Sequence, residues 1–446
     1  MTMPFDGEEF TFTNPDGSEV TVRGWGDQHY AVFETLDGFT VVKDPESGFY
    51  MYAELSEDKN DLVPTGVKVG EADPYNLGLH PHARIRREAE TEKALEAHEP
   101  ARRPSRWEVR RAQKKALESS PLWAAAEEAA PLLAATVGDY VGLCLLIDFP
   151  DVPGAISQQE VEDYCNQPGY SGFGNNGSVN DYFDEVSDGR LNYTNVVTAY
   201  YTAANNRAHY TNPAISYGTR ARQLIVEALD SLVAQGFDFD PLSSDGGDFV
   251  YALNVFYAGA RVKNWAEGLW PHASSLTTSY QAAPGKKFRD YQITNMGNEL
   301  TLGTFCHENG HMICDFPDFY DYGGESYGAG HYCLMGYGGG NKKNPVHVSA
   351  YLKNEAGWTS SIAPITPGLT ATVSAGQNDF YIYTKSATEY FIVENRQKQG
   401  RDVSLPDSGL AIWHVDELGS NNNEQMTPGQ HYECSLEQAD NQFDLE

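Results

Sequence analysis

Two histidines four residues apart with a glutamate between them, His307, Glu308 and His311 in "TFCHENGHMICDFPDFYDY", are the clearest chemical constellation in the chain. On a helix, residues i and i+4 project from adjacent turns of one face, so both imidazoles can hold one Zn2+ ion. Glu308 then falls beside the ion, not on it, where its carboxylate can take a proton from a water that the metal activates. This is the arrangement of metal-assisted peptide hydrolysis. The metzincin spacing HExxHxxGxxH would place a turn glycine and a third ligand where this chain has Cys314 and Pro317, and neither can serve in that way. Two acids are in range: Asp318, seven residues after His311 and just past Pro317, and Glu325, fourteen after it and behind the permissive pair Gly323-Gly324. The longer arm and glycine hinge favour Glu325, with Asp318 the alternative and Asp315 and Asp321 outsiders.

These groups need a scaffold. Placing Asn298 to Ile313 on a helix puts Leu302, Phe305, Cys306 and Ile313 on one stripe and the two histidines on roughly the opposite face. One face packs on a core and the other presents ligands to a cleft. Downstream, "YCLMGYGGG" places Met335 in an apolar turn with Tyr337 two residues later. Methionine there reads as core filler or as the floor of a metal site, and Tyr337 as packing or as a hydroxyl that stabilises an oxyanion.

Around this centre the chain divides by pattern. Residues 1–83 alternate short strand-like runs with turns, including a hairpin signal at Asp16-Gly17 in "FTFTNPDGSEVTVRGW". Residues 84–136 turn to Ala, Glu, Arg and Lys with basic pairs at Arg102-Arg103, Arg110-Arg111 and Lys114-Lys115, which reads as a charged helical connector, either solvated or open to processing proteases. Residues 137–360 carry the metal motif. They open on "DYVGLCLLIDFPD", a buried strand, and continue through "SVNDYFDEVSDGRL" with Ser178 as helix cap, the strand "LNYTNVVTAYY", a helix ended by Gly236, the strand "DFVYALNVFYAG", and a helix over "NPVHVSAYLKNEAGW" capped by Asn344. Residues 361–446 offer strands in "ATVSAG", "DFYIYTK", "EYFIVENRQ" and "GLAIWHVDE". Mixed strands and helices with a separate β unit on either side predict an α+β fold.

Several of these separated stretches resemble, in order, the immune inhibitor A-like secreted metallopeptidases of bacteria: "HENGHMICDFPDFYDY" with its PDxYD tail, "SVNDYFDEVSDGRL", "FYAG" followed by "LWPH", "CLMG", "AYLKNEAGW", and "EYFIVENRQ" before "GLAIWHVDE". The resemblance spans roughly residues 137 to 446, and the β module before it looks like the family's pro-region. It implies a zincin-like catalytic domain with a mixed sheet, preceded by a small β-rich pro-domain and followed by a β-rich segment. It also implies endopeptidase activity on protein or peptide substrates, synthesis as a secreted zymogen, and zinc, often with structural calcium. His307 and His311 carry over as ligands and Glu308 as base. The family's HExxHxxGxPD has its aspartate one residue earlier, and relatives continue beyond the point where this chain stops, so a C-terminal part is expected to be missing.

Bulk composition narrows the partners. Net charge is −32, and outside the window 84–118 the chain carries 20 basic against 56 acidic residues. Such a surface repels nucleic acid and anionic membranes. The opening "MTMPFDGEEF" has no signal-peptide pattern, and no run approaches the roughly 18 apolar residues of a membrane span. Six irregularly spaced cysteines suit neither a disulfide framework nor a zinc knot, and none precedes Cys144, so latency through a pro-region cysteine on zinc is excluded. Asp181, Asp184, Glu185 and Asp188 share one predicted helix face, a solvated face or a Ca2+ site. His272, His331, His347 and His414 read as hydrogen-bonded structural histidines. The rival from another class is a catalytically inactive, metal-stabilised surface or adhesion module.

Overall fold

The computed structural model of the chain describes residues 3–98, 107–109, 111–112, 116, 135–323, 326–386, 388–419 and 432–438. The first six strands, β1 (Phe5–Thr13), β2 (Glu19–Gly26), β3 (Ala31–Thr35), β4 (Thr40–Lys43), β5 (Tyr50–Leu55) and β6 (Leu62–Lys68), form an antiparallel meander in chain order. The hairpin expected at Asp16-Gly17 joins β1 to β2, with Gly17 at φ 84°, a left-handed position that a side chain would strain. Phe10, Phe12, Val20, Val22 and Phe33 alternate onto one face and pack against Trp270, with Trp265, Val262 and Tyr217 beside it. The N-terminal sheet is thus docked on the unit that bears the metal motif. Helix α1 (Arg87–His98) follows.

The central sheet explains why "DYVGLCLLIDFPD" is apolar throughout. It has the order β10-β11-β9-β7-β8, with β7 (Gly138–Asp148) parallel to both β8 (Leu191–Thr202) and β9 (Leu253–Tyr257), β9 parallel to β11 (Lys286–Asn295), and β10 (His272–Ala283) the antiparallel edge. Successive side chains of β7 point to opposite faces, and both faces are covered. Leu143, Leu145 and Ile147 enter one core with helix α4 (Tyr217–Ala234). Cys144 and Leu146 enter the other, with helices α2 (Gln158–Asn166) and α3 (Val179–Val186) and the motif helix α5 (Leu302–Cys314). Ser178 caps α3 as expected, in a capping box with Asp181, and Gly236 follows the end of α4 at φ 70°.

The third sheet runs β12 (Ser361–Pro364), β13 (Asp379–Thr384), β14 (Glu389–Arg396), β15 (Gly409–Asp416) and β16 (Cys434–Leu436) in chain order, with only the β12–β13 pair parallel. Ile392, Trp413, Val415 and Cys434 share one continuous core with α5 and with helix α6 (Ala350–Glu355). The molecule is therefore α+β, and its C-terminal strands form a layer of the central unit's own core.

Three expectations change. The helix expected from Asn344 begins only after Ser349, whose side chain accepts from Leu352 N–H, because the residues before it lie against the turn below the motif helix through Val346 N–H to Gly338 O and Leu334 N–H to His347 O. "ATVSAG" forms no strand. In the connector Trp107 is buried, donating to Glu433 Oε1 at 2.6 Å while Arg111 pairs with the other oxygen at 3.3 Å, so this part is packed and not solvated. The basic pairs Arg102-Arg103 and Lys114-Lys115 lie outside the described residues.

Candidate metal centre

Helix α5 begins after Thr301, four residues later than its apolar pattern suggested, and buries Leu302, Phe305, Cys306 and Ile313 in the shared core. Its end decides the site. Asp315 takes the left-handed conformation at φ 53°, and its N–H and that of Phe316 both bond to Gly310 O. Aspartate tolerates that region better than most residues, so it makes the reversal that the metzincin pattern assigns to glycine one position earlier. The longer "CDFPD" is absorbed this way, and the chain swings Asp318 back over the helix.

His307 Nε2, His311 Nε2 and Asp318 Oδ1 converge: each nitrogen lies 3.1 Å from the carboxylate oxygen, and the nitrogens are 3.2 Å apart. Ligands around a four-coordinate ion with bonds of about 2.0–2.1 Å stand about 3.3 Å from one another, so the spacing fits. The protonation pattern fits as well. His307 Nδ1 faces Leu334 O at 2.9 Å and His311 Nδ1 faces Phe316 O at 2.6 Å. A carbonyl only accepts, so both Nδ1 atoms carry protons, and both Nε2 atoms face inward. Asp318 Oδ1 is buried against the two nitrogens. With both Nε2 atoms unprotonated, three lone pairs aimed at one buried point are mutually repulsive unless a cation sits among them. Burial alone would raise the Asp318 carboxyl, but His311 and His307 beside it hold it well below the usual carboxylate range.

Asp318 is thus the acid that joins the histidines, whereas Glu325, the acid favoured by arm length, lies outside the described residues. Asp315 is the helix cap. Asp321 organises its own loop, accepting from Gly323 and Ser326 N–H and from the Tyr432 hydroxyl. Tyr322 was missed: its hydroxyl donates to Asp318 Oδ2 at 2.6 Å, leaving Oδ1 for the centre. Its one signal was a tyrosine four residues beyond a candidate ligand. Among the described residues no other group of three metal-ligating side chains gathers.

Glu308 is buried next to the cluster without joining it. Burial pushes its carboxyl up to about 7. Met335 is buried in the turn Leu334–Gly338, whose first carbonyl grips His307; a Cβ at Gly310 would lie 2.9 Å from the Met335 sulfur, so the helix needs a glycine there. The Tyr337 ring packs among Tyr320, Tyr327 and His331, and burial together with Asp6 pushes its phenol far above its ordinary value, so it stays a protonated donor.

The N-terminal module lies over this cluster. Tyr320 donates to Asp27 Oδ2 at 3.1 Å, Lys342 pairs with Glu8 at 3.1 Å, and Asn264 bonds Thr13 N–H and C=O at 2.7 and 3.1 Å. The four acids expected on one helix face do not share it: Asp188 lies past the end of α3 at φ 57° and accepts from Ser360, Asp181 belongs to the α3 capping box, and Glu185, which burial would raise, is held at about 2 by His347 and Arg401. His272 is buried between Trp270 O and the Tyr291 hydroxyl, and burial lowers it to about 3; His414 stacks on Phe391 and pairs with Glu389 and Glu437. Compared with known proteins, the chain matches no family model and no curated protein.

Proposed function

We propose that the chain is a zinc-dependent endopeptidase, folded as a zincin-like unit and held latent by its own N-terminal module. The observation that carries this reading is the convergence of His307 Nε2, His311 Nε2 and Asp318 Oδ1 with both Nδ1 protons committed to backbone carbonyls. Two imidazoles and one carboxylate are a donor set of hydrolytic zinc sites, which keep one position open. Supporting the fold reading, α5 crosses beneath a five-stranded sheet whose single antiparallel strand is its edge.

His307, His311 and Asp318 would hold the ion, which when bound polarises a carbonyl and lowers the pKa of water. Glu308 takes the proton of the attacking water and returns it to the leaving amine. Tyr337, kept protonated, donates to the oxygen that gains charge in the tetrahedral intermediate. The N-terminal module docks beside these residues, through Asp27 to Tyr320 and Glu8 to Lys342, which supports latency without any cysteine. Synthesis for export belongs to the same proposal and rests on the family resemblance; no helix among the described residues is long and apolar enough to cross a membrane.

The test is proteolysis of a denatured protein by the chain after cleavage in the connector, beside its Glu308→Gln variant. Activity in the first and loss in the second is expected. Activity that survives Glu308→Gln refutes the mechanism, and stoichiometric zinc without cleavage by either points to the inactive module.

A further inference from the structure

The face of α5 opposite the ligands adds a polar tie to its apolar packing. Asn309 lies about 200° around the helix from His307 at about 100° per residue, and so faces the central sheet. Both of its amide hydrogens and its oxygen are engaged: Nδ2 donates to Asn254 Oδ1 at 3.0 Å and Phe305 O at 2.8 Å, and Oδ1 accepts from the Tyr193 hydroxyl at 2.6 Å. Asn254 Nδ2 donates to that same hydroxyl at 3.0 Å and to Asn195 Oδ1 at 2.8 Å, and Gln292 Nε2 donates to Asn254 Oδ1 at 2.5 Å. All five side chains are buried.

The network spans β8, β9 and β11, and must pass over β7 to do so. It passes at Gly142, where a Cβ would lie 2.7 Å from the Tyr193 hydroxyl and 2.8 Å from Asn195 Oδ1. The strand is kept bare at the one point where the amides cross it.

We infer that this network is a positioning device for the metal centre, with Asn309, Asn254 and Tyr193 as positioning residues that act through α5; the inference rests on the metal-centre reading above. Apolar packing is non-directional and tolerates small rotations of a helix, whereas hydrogen bonds to both ends of one amide do not. An imidazole Nε2 stands about 7 Å from the helix axis, so a 10° rotation moves it by about 1 Å. Metal sites tolerate distance errors of about 0.2 Å. A helix free to turn would spoil the triangle that His307 and His311 make with Asp318, while a helix tied at Asn309 presents both nitrogens at a fixed angle.

The experiment uses the full chain and needs no proteolysis: Zn2+ affinity by chelator competition, the visible spectrum of the Co2+ form, and the unfolding of the metal-free protein, for wild type, Asn309→Leu, Tyr193→Phe and Gly142→Ala. Tyr193→Phe keeps the ring and removes the hydroxyl, so it carries the test if Asn309→Leu does not fold. A roughly tenfold or greater loss of Zn2+ affinity is expected, in the range of other outer-partner deletions, with a shifted or weakened Co2+ band. A merely structural network would lower the stability of the metal-free protein and leave the band and affinity as in wild type, and that result overturns the proposal. A wild-type chain that binds neither metal overturns the metal-centre reading and the positioning role with it, a failure seen in the wild type and not in the variants.

Discussion

Removing the Tyr322 hydroxyl isolates the second oxygen of the third ligand. The bond it donates to Oδ2 of the buried Asp318 is 2.6 Å long. A charge-assisted hydrogen bond of this kind contributes about 1.5–3 kcal/mol. If all of that were lost from the metal-bound state, Zn2+ would bind about 10–150-fold more weakly, at about 1.4 kcal/mol per tenfold. The carboxylate loses the same donor in the metal-free protein, so part of the cost appears there as lowered stability, and the affinity change belongs near the lower end, about tenfold. Phenylalanine keeps the ring that packs 5.1 Å from Tyr320, so the loop keeps its apolar contact. The assay is equilibrium competition with a chelator on full-length Tyr322→Phe, beside Tyr320→Phe, whose hydroxyl bonds Asp27 of the N-terminal module. Tyr320→Phe should hold zinc within about twofold of wild type. Equal affinity of Tyr322→Phe and wild type, or an equal loss in both variants, would refute the assignment of Tyr322 as the partner of the ligand.

Further outcomes follow from the same structure. Asp318→Ala should abolish stoichiometric zinc binding while Glu325→Ala retains it, read by metal analysis after dialysis; the reverse pattern would return the third ligand to Glu325. Glu308→Gln should bind zinc like wild type yet, once cleaved in the connector, hydrolyse a quenched peptide at least about 100-fold more slowly, as expected for loss of a general base. Asn264→Ala removes both bonds to Thr13 and should speed chelator-driven loss of metal from the uncleaved chain by loosening the module above the site. Burial raises the Asp402 carboxyl, but Arg396 and His347 outweigh it and hold it at about 2, against an ordinary 3.8. A depressed carboxyl stabilises above its unfolded pKa and loses that contribution as pH falls through the folded one, so this group supplies about 2 kcal/mol at neutrality that disappears between about pH 4 and 2. Acid unfolding of Asp402→Asn should be flatter across that window, and a curve parallel to wild type would contradict this.

The chemistry was legible where it is local. His307, Glu308 and His311 stand four residues or fewer apart on one helix, so their mutual arrangement follows from helical geometry alone. The continuous apolar run of β7, the Ser178 cap and the Asp16-Gly17 hairpin are equally short-range, and the structure has all three. Longer inferences failed in recognisable ways. The stretch after Asn344 has a cap and a first-turn proline, yet pairing with the turn at Leu334–Gly338 outcompetes the helix until Ser349. Trp107 lies in a charged stretch that reads as solvated, and only the buried Glu433 carboxylate opposite it gives it a place.

Sequence by itself therefore determined the helix, its two imidazoles and the glutamate beside them, because spacing along a helix is set by covalent geometry and backbone hydrogen bonds. It left the third ligand open, since that depended on whether Asp315 would adopt a left-handed conformation and reverse the chain. Tertiary structure alone decided that Asp318 joins the two histidines, that Tyr322 holds its other oxygen, and that Asn309 ties the helix to three strands. Each is a hydrogen bond or a ligand meeting between segments distant in the chain, and its partners are chosen by how whole elements pack.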